Sequence, residues 1–500
     1  MSDTTPLRPH SQVRIARLVL EAVTPLSIGT GNPDGVFDSA LVRDANDLPA
    51  IPASSLAGVL RSLWTQEHGA ESARGLFGFQ DRDQGAVSRL RIGWGHLLDS
   101  RSRAACGLLL GSDAARLNDP LFAEALRQRE EPVHRNRVRL THRGAAADTG
   151  KFDRSVLPAG HRFAVELRLD ASADAPQAQW DELLALFAHP GFRLGGGTRA
   201  GLGRMRCVSL HTAQFDLRQP AQAKALGAIG ADPSNTAGLT QRPVPQVPAE
   251  HWLHATLSLD ALGLWRIGQG DLPLHLGAQD KVPDLLPVTE SRVKWEDGKG
   301  QGDKARLNAA RELLLPAASL KGVLAHRMAF HARRFAANWA GQEQTLGKDG
   351  QPLVPAPVQA LMGSVKDSRG LAEQGWAGCL YIDDAYLTPP QPANLMHNSI
   401  DRFTGGVREH MLFEEQNVLG GQIEVGLVID LRRLRAAAAH NATPLHAVQR
   451  AFVAALQDLC AGRLALGARS TSGNGFFRGD LPAALTADWP QAHSTQPEAA

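Results

Sequence analysis

"LPAIPASSLAGVLRSLW" (Leu48–Trp64) and "LLLPAASLKGVLAHRMA" (Leu313–Ala329) are two versions of one phrase. Each runs an apolar segment into a proline, then a serine, then apolar residues at helical spacing. A serine oxygen at a helix start can accept from the free N–H groups of the first turn. The spacing therefore places Ser55 and Ser319 at equivalent helix starts. A duplicated unit fixes the number of domains before any single element is assigned, so the repeat decides the fold.

Four more blocks match in the same order. Alternating apolar segments precede the helix phrase in each half: "RIARLVLEAVTPLSIGTGN" (14–32) and "WLHATLSLDALGLWRIGQGD" (252–271). Alternation of this kind predicts a strand. After the helix come "LFGFQDRDQGAVSRLRIGWGHLLD" (76–99) and "LMGSVKDSRGLAEQGWAGCLYIDDAYLT" (361–388), with Leu90-Arg91-Ile92 set against Leu380-Tyr381-Ile382. Next are "VHRNRVRLTHRG" (133–144) and "MHNSIDRFTGG" (396–406), each leading into further alternating strands. Last are the glycine-rich loops "FRLGGGTRAGLGRMR" (192–206) and "LALGARSTSGNGFFRG" (464–479), with Arg199 set against Arg469. Second helices are expected in "AQWDELLALFAHPG" and "TPLHAVQRAFVAALQDLC". The order strand, helix, strands, helix, strand predicts an α+β fold: two tandem ferredoxin-like cores with inserted loop regions, on the same scaffold as RNA-recognition motifs. The expected domains are 1–215 and 251–482. Between them lies a Pro/Ala/Gln-rich linker at 216–250, and 483–500 reads as a flexible tail.

Composition narrows the chemistry. The net charge of the 500 residues is only +2, so nucleic-acid binding would have to come from local patches. Aromatic residues are 5%, with two tyrosines, which disfavours an RNA-binding sheet that works by stacking. Four scattered cysteines offer neither a disulfide framework nor a zinc spacing. The histidines show no spaced metal motif, and His326 and His331 read as ordinary helix residues. No secretory signal and no run of about 18 apolar residues is present, so a cytoplasmic location without a membrane partner is expected.

Jointly, the glycine turns, the paired helix phrases, the "LFG…RLRI" and "NRV" blocks and the "LGGGTRAGLGR" loop resemble the RAMP superfamily. The resemblance is strongest to backbone subunits of type III CRISPR–Cas effector complexes, in a fused double form similar to subtype III-D-like proteins. It implies ferredoxin-like palms with a protruding thumb, stacked in a helical row on a CRISPR guide RNA. The implied partners are guide RNA, target RNA and other subunits of the same complex. In active members an aspartate after the first strand helps cut the paired target RNA in a reaction that uses Mg²⁺ or another divalent cation.

Taken by itself, Asp38 in "GVFDSALVRD" is equally a turn former, a surface charge or a reactive carboxylate. The resemblance makes it the candidate catalytic residue. Cleavage can use the RNA's own 2′-OH, which must be deprotonated and aligned in line with its leaving oxygen. Asp284 is the counterpart in the second half, with Asp280 and Glu290 as competitors. The second loop is longer: Ser319 follows Asp284 by 35 positions, whereas Ser55 follows Asp38 by 17. No multi-carboxylate cage is visible, so the metal ligands stay unassigned.

Candidate RNA-binding residues follow from charge and backbone freedom. Arg135, Arg137 and Arg139 alternate along one segment, with Arg143, His134 and His142 nearby. Gly196, Gly197, Arg199 and Gly201 form one phosphate-cradle candidate, and Arg469 and Ser470 its counterpart. Arg43, Ser55, Ser319, Lys321, Asn398 and Arg402 complete the set. Two other functions fit the residues: a guide-binding subunit that does not cut, and an endoribonuclease that processes guide precursors by histidine acid–base chemistry.

Overall fold

The structure is a computed structural model that describes residues 11–31, 40–142, 144–172, 176–246, 250–268, 270–274, 281–296, 304–307, 311–342, 345–346, 352–364, 375–387, 391–487 and 489. In the first half the elements are β1 (Gln12–Ala22), α1 (Ala53–Phe77), β2 (Leu90–Ile92), β3 (Arg162–Ala171), α2 (Gln177–Ala185) and β4 (Met205–Asp216). The second half repeats them as β5 (Trp252–Ala261), α3 (Ala317–Phe335), β6 (Leu380–Ile382), β7 (Gln422–Asp430), α4 (Leu445–Cys460) and β8 (Phe477–Gly479). The sheets run β4-β1-β3-β2 and β8-β5-β7-β6, with every neighbouring pair antiparallel. That is the β-α-β-β-α-β order expected from the repeat, once in each half.

Helices cover one face of each sheet because their apolar residues recur at helical spacing. Leu56, Leu60, Leu63 and Trp64 of α1 are buried with Ala16, Leu18 and Leu20 of β1. In the second half Leu320, Leu324 and Met328 of α3 meet Val448, Phe452 and Leu456 of α4 over Leu257 and Leu259. Each such side chain contributes about 1.5–3 kcal/mol by burial.

Three sequence-based expectations are corrected. The serines do not cap. α1 starts at Ala53 behind Pro52, and α3 at Ala317 behind Pro316, with no side-chain cap bond from either proline. Ser55 and Ser319 are third residues of their helices; a carboxylate from elsewhere, Asp384, accepts from the Ala317 N–H at 2.8 Å.

The 216–250 segment is built in rather than loose. Its strand Thr240–Arg242 extends the sheet beyond β4, and its helix Pro220–Gly227 and the turn after it cover the second face. Leu226, Ile229 and Leu239 pack on Val13, Ile15 and Phe215. Buried Arg17 donates to the carbonyls of Gly230 and Asn235 and to Glu166. This covering explains why β1 is buried almost continuously rather than alternately.

The first part of the 483–500 tail also packs. Leu485 and Trp489 are buried, and Gln449 Nε2 donates to the carbonyls of Leu485 and Ala487.

The halves interlock in both directions. The glycine-rich loop of the first half sits on the start of α3 and the end of β6. In return, a hairpin of the second half (Val293–Glu296 with Lys304–Leu307) lies over the first. There the Val293 N–H donates to Ala159 O at 3.0 Å, and Trp295 Nε1 donates to Gly160 O at 2.7 Å. The Arg162 guanidinium stacks 4.2 Å from the Trp295 ring. The extra length of the second half's loop therefore includes an interdomain clamp.

Candidate nucleic-acid interface

A groove of about 500 Å³ opens between the halves. Its first wall is the segment from His134 to Arg139, whose Arg137–Leu140 part forms a hairpin with Ala146–Phe152. Its second wall is the first turn of α3, with Ser319, Lys321 and Gly322, and the tip of the glycine loop closes one end through Ala200 and Leu202. The walls come from residues almost two hundred positions apart.

The three alternating arginines divide their work. Arg135 is buried and spans the interface, with Nη2 at 3.0 and 2.9 Å from the Glu290 carboxylate and 3.3 Å from Asp384. Burial alone would lower the Arg135 pKa, but Glu290 and Asp384 together raise it above its ordinary value. Burial pushes the Asp384 carboxyl up to about 6, against the opposing pull of Arg135. The Tyr386 hydroxyl donates to the same Glu290 carboxylate. Arg137 is half-buried, with Nη2 donating to Ala200 O at 3.3 Å, and Arg139 is exposed at the rim. The expected stripe on one face is thus a gradient, from structural ion pair to exposed rim charge.

Lys321 stands at the floor. Its Nζ donates to Arg199 O at 3.1 Å and reaches Leu380 O at 3.4 Å. Burial, with Arg199 nearby, brings its pKa down to about 8. Asp384 takes the Ala317 N–H and Pro316 O takes those of Ser319 and Leu320, so what the start of α3 adds to this wall is its dipole, which favours an anion there.

The glycine loops superpose in hydrogen-bond pattern. Leu194 N–H donates to Gly203 O, and Leu466 N–H to Gly475 O; Gly196 N–H donates to Ser27 O, and Ala468 N–H to Arg266 O. The counterpart of Arg469 is therefore Gly197; both are left-handed, at φ +57° and +71°. Arg199 corresponds to Thr471, which corrects the Arg199–Arg469 pairing. Arg199 faces the second half, donating to Gly378 O and to the Tyr381 hydroxyl at 3.2 Å. Gly201 belongs to this interdomain contact, pressed against Asp384 and Ala317, whereas Gly196 and Gly197 lie against Arg154 and Arg137 of their own half. In the second loop Arg469 lies 3.6 Å from buried Glu415, and Ser470 is exposed.

The remaining candidates are scattered. Arg43 donates to the carbonyls of Asp47 and Ala125 at 2.6 and 3.0 Å, and burial lowers its pKa. Ser55 is half-buried on α1, away from the groove. Asn398 and Arg402 are exposed on the loop between Pro392–His397 and Phe413–Leu419. Asp38, Arg143 and Asp280 lie outside the described residues. Asp284 is exposed and accepts from the Glu414 N–H at 2.8 Å, beside the strand Phe413–Leu419. Glu290, its competitor, is consumed by Arg135 and Tyr386. Among the described residues no group of three or more His, Cys, Asp or Glu is placed to hold a metal ion.

Sequence reading missed one juxtaposition. His142 of the first half and His326 of α3 line a second interdomain groove with Arg139 and Arg333. Burial lowers the His326 pKa, with His142 adding to the effect. No linear spacing announces the pair, because it forms only when the halves dock. His331 is a core residue, 2.7 Å from Asp458.

A tandem pair of ferredoxin-like domains with a basic groove between them defines the class of protein. The sequence matches the RAMP superfamily over residues 19–206 and 259–478, and the chain belongs to that family. No curated protein sequence matches it. Among solved structures it is similar to a chain of the type III-B Cmr-β complex, determined by cryo-EM bound to cognate target RNA. The identity is 13% and the TM-score 0.28, over 40% of this chain and 61% of that one. The likeness thus spans less than two thirds of that chain. No helix among the described residues is long and apolar enough to cross a membrane.

Proposed function

We propose that this chain is a backbone subunit of a type III CRISPR effector complex, holding guide RNA and cutting the paired target RNA. The observation that carries the proposal is the interdomain groove, where Arg137, Arg139, Lys321 and the first turn of α3 converge. Phosphate binding there needs no base recognition, in keeping with a protein that leaves sequence selection to guide pairing.

The docking of the halves supports stacking. One loop of the first half meets a different surface of the second, and a heterologous contact of this kind leaves one surface of each type open at the ends. For cleavage, Asp38 and Asp284 are the candidate carboxylates. Each would deprotonate or orient a 2′-OH, or hold a hydrated Mg²⁺ jointly with an RNA phosphate, since Mg²⁺ commonly keeps several waters. Asp284 suits the bridging role, because its carboxylate is exposed to an approaching RNA.

The test is co-expression with the neighbouring genes and a CRISPR array. Guide RNA should co-purify, and a matching target should be cut. Asp38→Ala and Asp284→Ala should each abolish one set of cuts. Unchanged cutting by the double variant would reduce the protein to a binding subunit. The His142–His326 groove favours a second reading, processing of guide precursors; the isolated protein would then cut repeat RNA in EDTA, and His326→Ala would stop it.

A further inference from the structure

The contact between the halves is written in charge. Arg193 Nη1 and Arg204 Nη1 each lie 2.7 Å from one oxygen of Asp383. Arg135 meets Glu290 and Asp384, and the guanidiniums of Arg193 and Arg199 each stand 5.0 Å from the Tyr381 ring centre. Gly201, at φ +102°, lies so close that a Cβ there would be 2.0 Å from Asp384 Oδ1.

Hydrogen bonding gives the equivalent positions on the two free surfaces. Gly93 N–H donates to Glu166 O as Asp383 N–H does to Gly426 O, and Ile51 pairs with Gly95 as Leu315 does with Ala385. Asp383 and Asp384 therefore correspond to Gly93 and Trp94, and Tyr381 corresponds to Arg91. By the loop register above, Arg193, Arg199 and Arg204 correspond to Ala465, Thr471 and Phe476. Gly473 matches Gly201 in conformation, at φ +90°, but a Cβ there would meet nothing within 4 Å. The second loop is thus shaped to dock and is unoccupied among the described residues. The first half presents a groove of about 400 Å³ at the start of α1, with Arg61, Leu90 and Ile92 in its lining; beside it stand exposed Trp94 and Arg91, whose exposed guanidinium also pairs with Asp170 at 2.6 Å.

Neither free surface keeps the code. A second copy stacked on the first by the same geometry would lose every arginine–aspartate pair named above for the internal contact. Arg91 would stand where the internal contact has an aromatic ring. Ion pairs at an interface select partners more than they add raw affinity. We infer that this chain does not extend itself: its α1 face receives the glycine loop of a different subunit, one that carries acidic side chains opposite Arg91 and Arg61. The inference rests on the stacking in the proposed function, with the neighbour's chemistry added.

The test is the solution mass of the full chain, by light scattering at concentrations up to about 100 µM. The wild type should stay at its 53.6 kDa monomer mass. Ala465→Glu with Thr471→Glu supplies an acidic loop to the natural α1 face. That variant should associate with rising concentration, dissociate in high salt, and become monomeric again when Arg91→Ala is added. Should it fail to fold by circular dichroism, Thr471→Arg with Arg91→Glu reverses both charges and should associate in the same way. A wild type that self-associates, or folded charge variants that stay monomeric, would overturn the inference. No RNA is present, so a chain that fails to hold guide RNA yet behaves this way refutes the functional reading and leaves the neighbour rule intact.

Discussion

Lys321 is the residue whose surroundings carry the most information about the groove. Its ammonium is held by two carbonyls and partly stripped of water, so its charge is lost as pH rises through about 8. RNA affinity should therefore fall between pH 7 and pH 9, measured by fluorescence anisotropy at fixed salt. Lys321→Gln should flatten that profile and reduce the salt slope by roughly one phosphate contact. A slope unchanged by the substitution would remove Lys321 from the interface. Glycine gives a second comparison at this scale. Gly201→Ala forces a Cβ onto Asp384 and Ala317, whereas Gly473→Ala meets open space. Both incur the cost of positive φ, about 1 kcal/mol. Gly201→Ala should cost at least about 2 kcal/mol more in urea denaturation, because Asp384 is fixed by Arg135 and cannot yield.

At the level of elements, the interface ion pairs set a pH dependence with a definite sign. Asp384 has a folded pKa raised to about 6, so ionised Asp384 is a burden that Arg135 offsets. Arg135→Ala leaves Asp384 and Glu290 buried without their cation, a loss of about 3–5 kcal/mol at pH 7.5. Below pH 6 Asp384 takes up a proton in the folded state, and the loss should shrink. Thermal melts of wild type and variant at pH 5 and pH 7.5 decide it; an equal loss at both values would place the effect elsewhere. The clamp hairpin contributes through packing. Trp295→Ala removes the cation–π contact with Arg162 and the bond to Gly160 O, and should cost about 3 kcal/mol.

For the whole molecule, the reciprocal clamping couples two domains that each have their own core. Calorimetry of the wild type should show one transition, and Arg135→Ala should separate it into two. Two transitions in the wild type would mean the contact is too weak to hold the halves in one arrangement. The groove depends on that arrangement, since its walls come from different halves.

Domain number, the β-α-β-β-α-β order and the two glycine loops are determined by the sequence itself, because they rest on local periodicity and on repetition. Matching the arginines by type puts the loop register off by two positions, because the backbone bonds follow the glycines. The fate of each arginine was decided only by tertiary structure. "VHRNRVRLTHRG" reads as one basic stripe, yet Arg135 is consumed by Glu290 and Asp384 while Arg139 stays exposed at the rim. Nothing local distinguishes them, because a buried carboxylate from the other half makes the difference. The same holds for the linker, whose Pro/Ala/Gln composition looks loose until Arg17 and the second face of β1 require cover. Charge spacing proposes what a segment can bind, and docking decides what it is left free to bind.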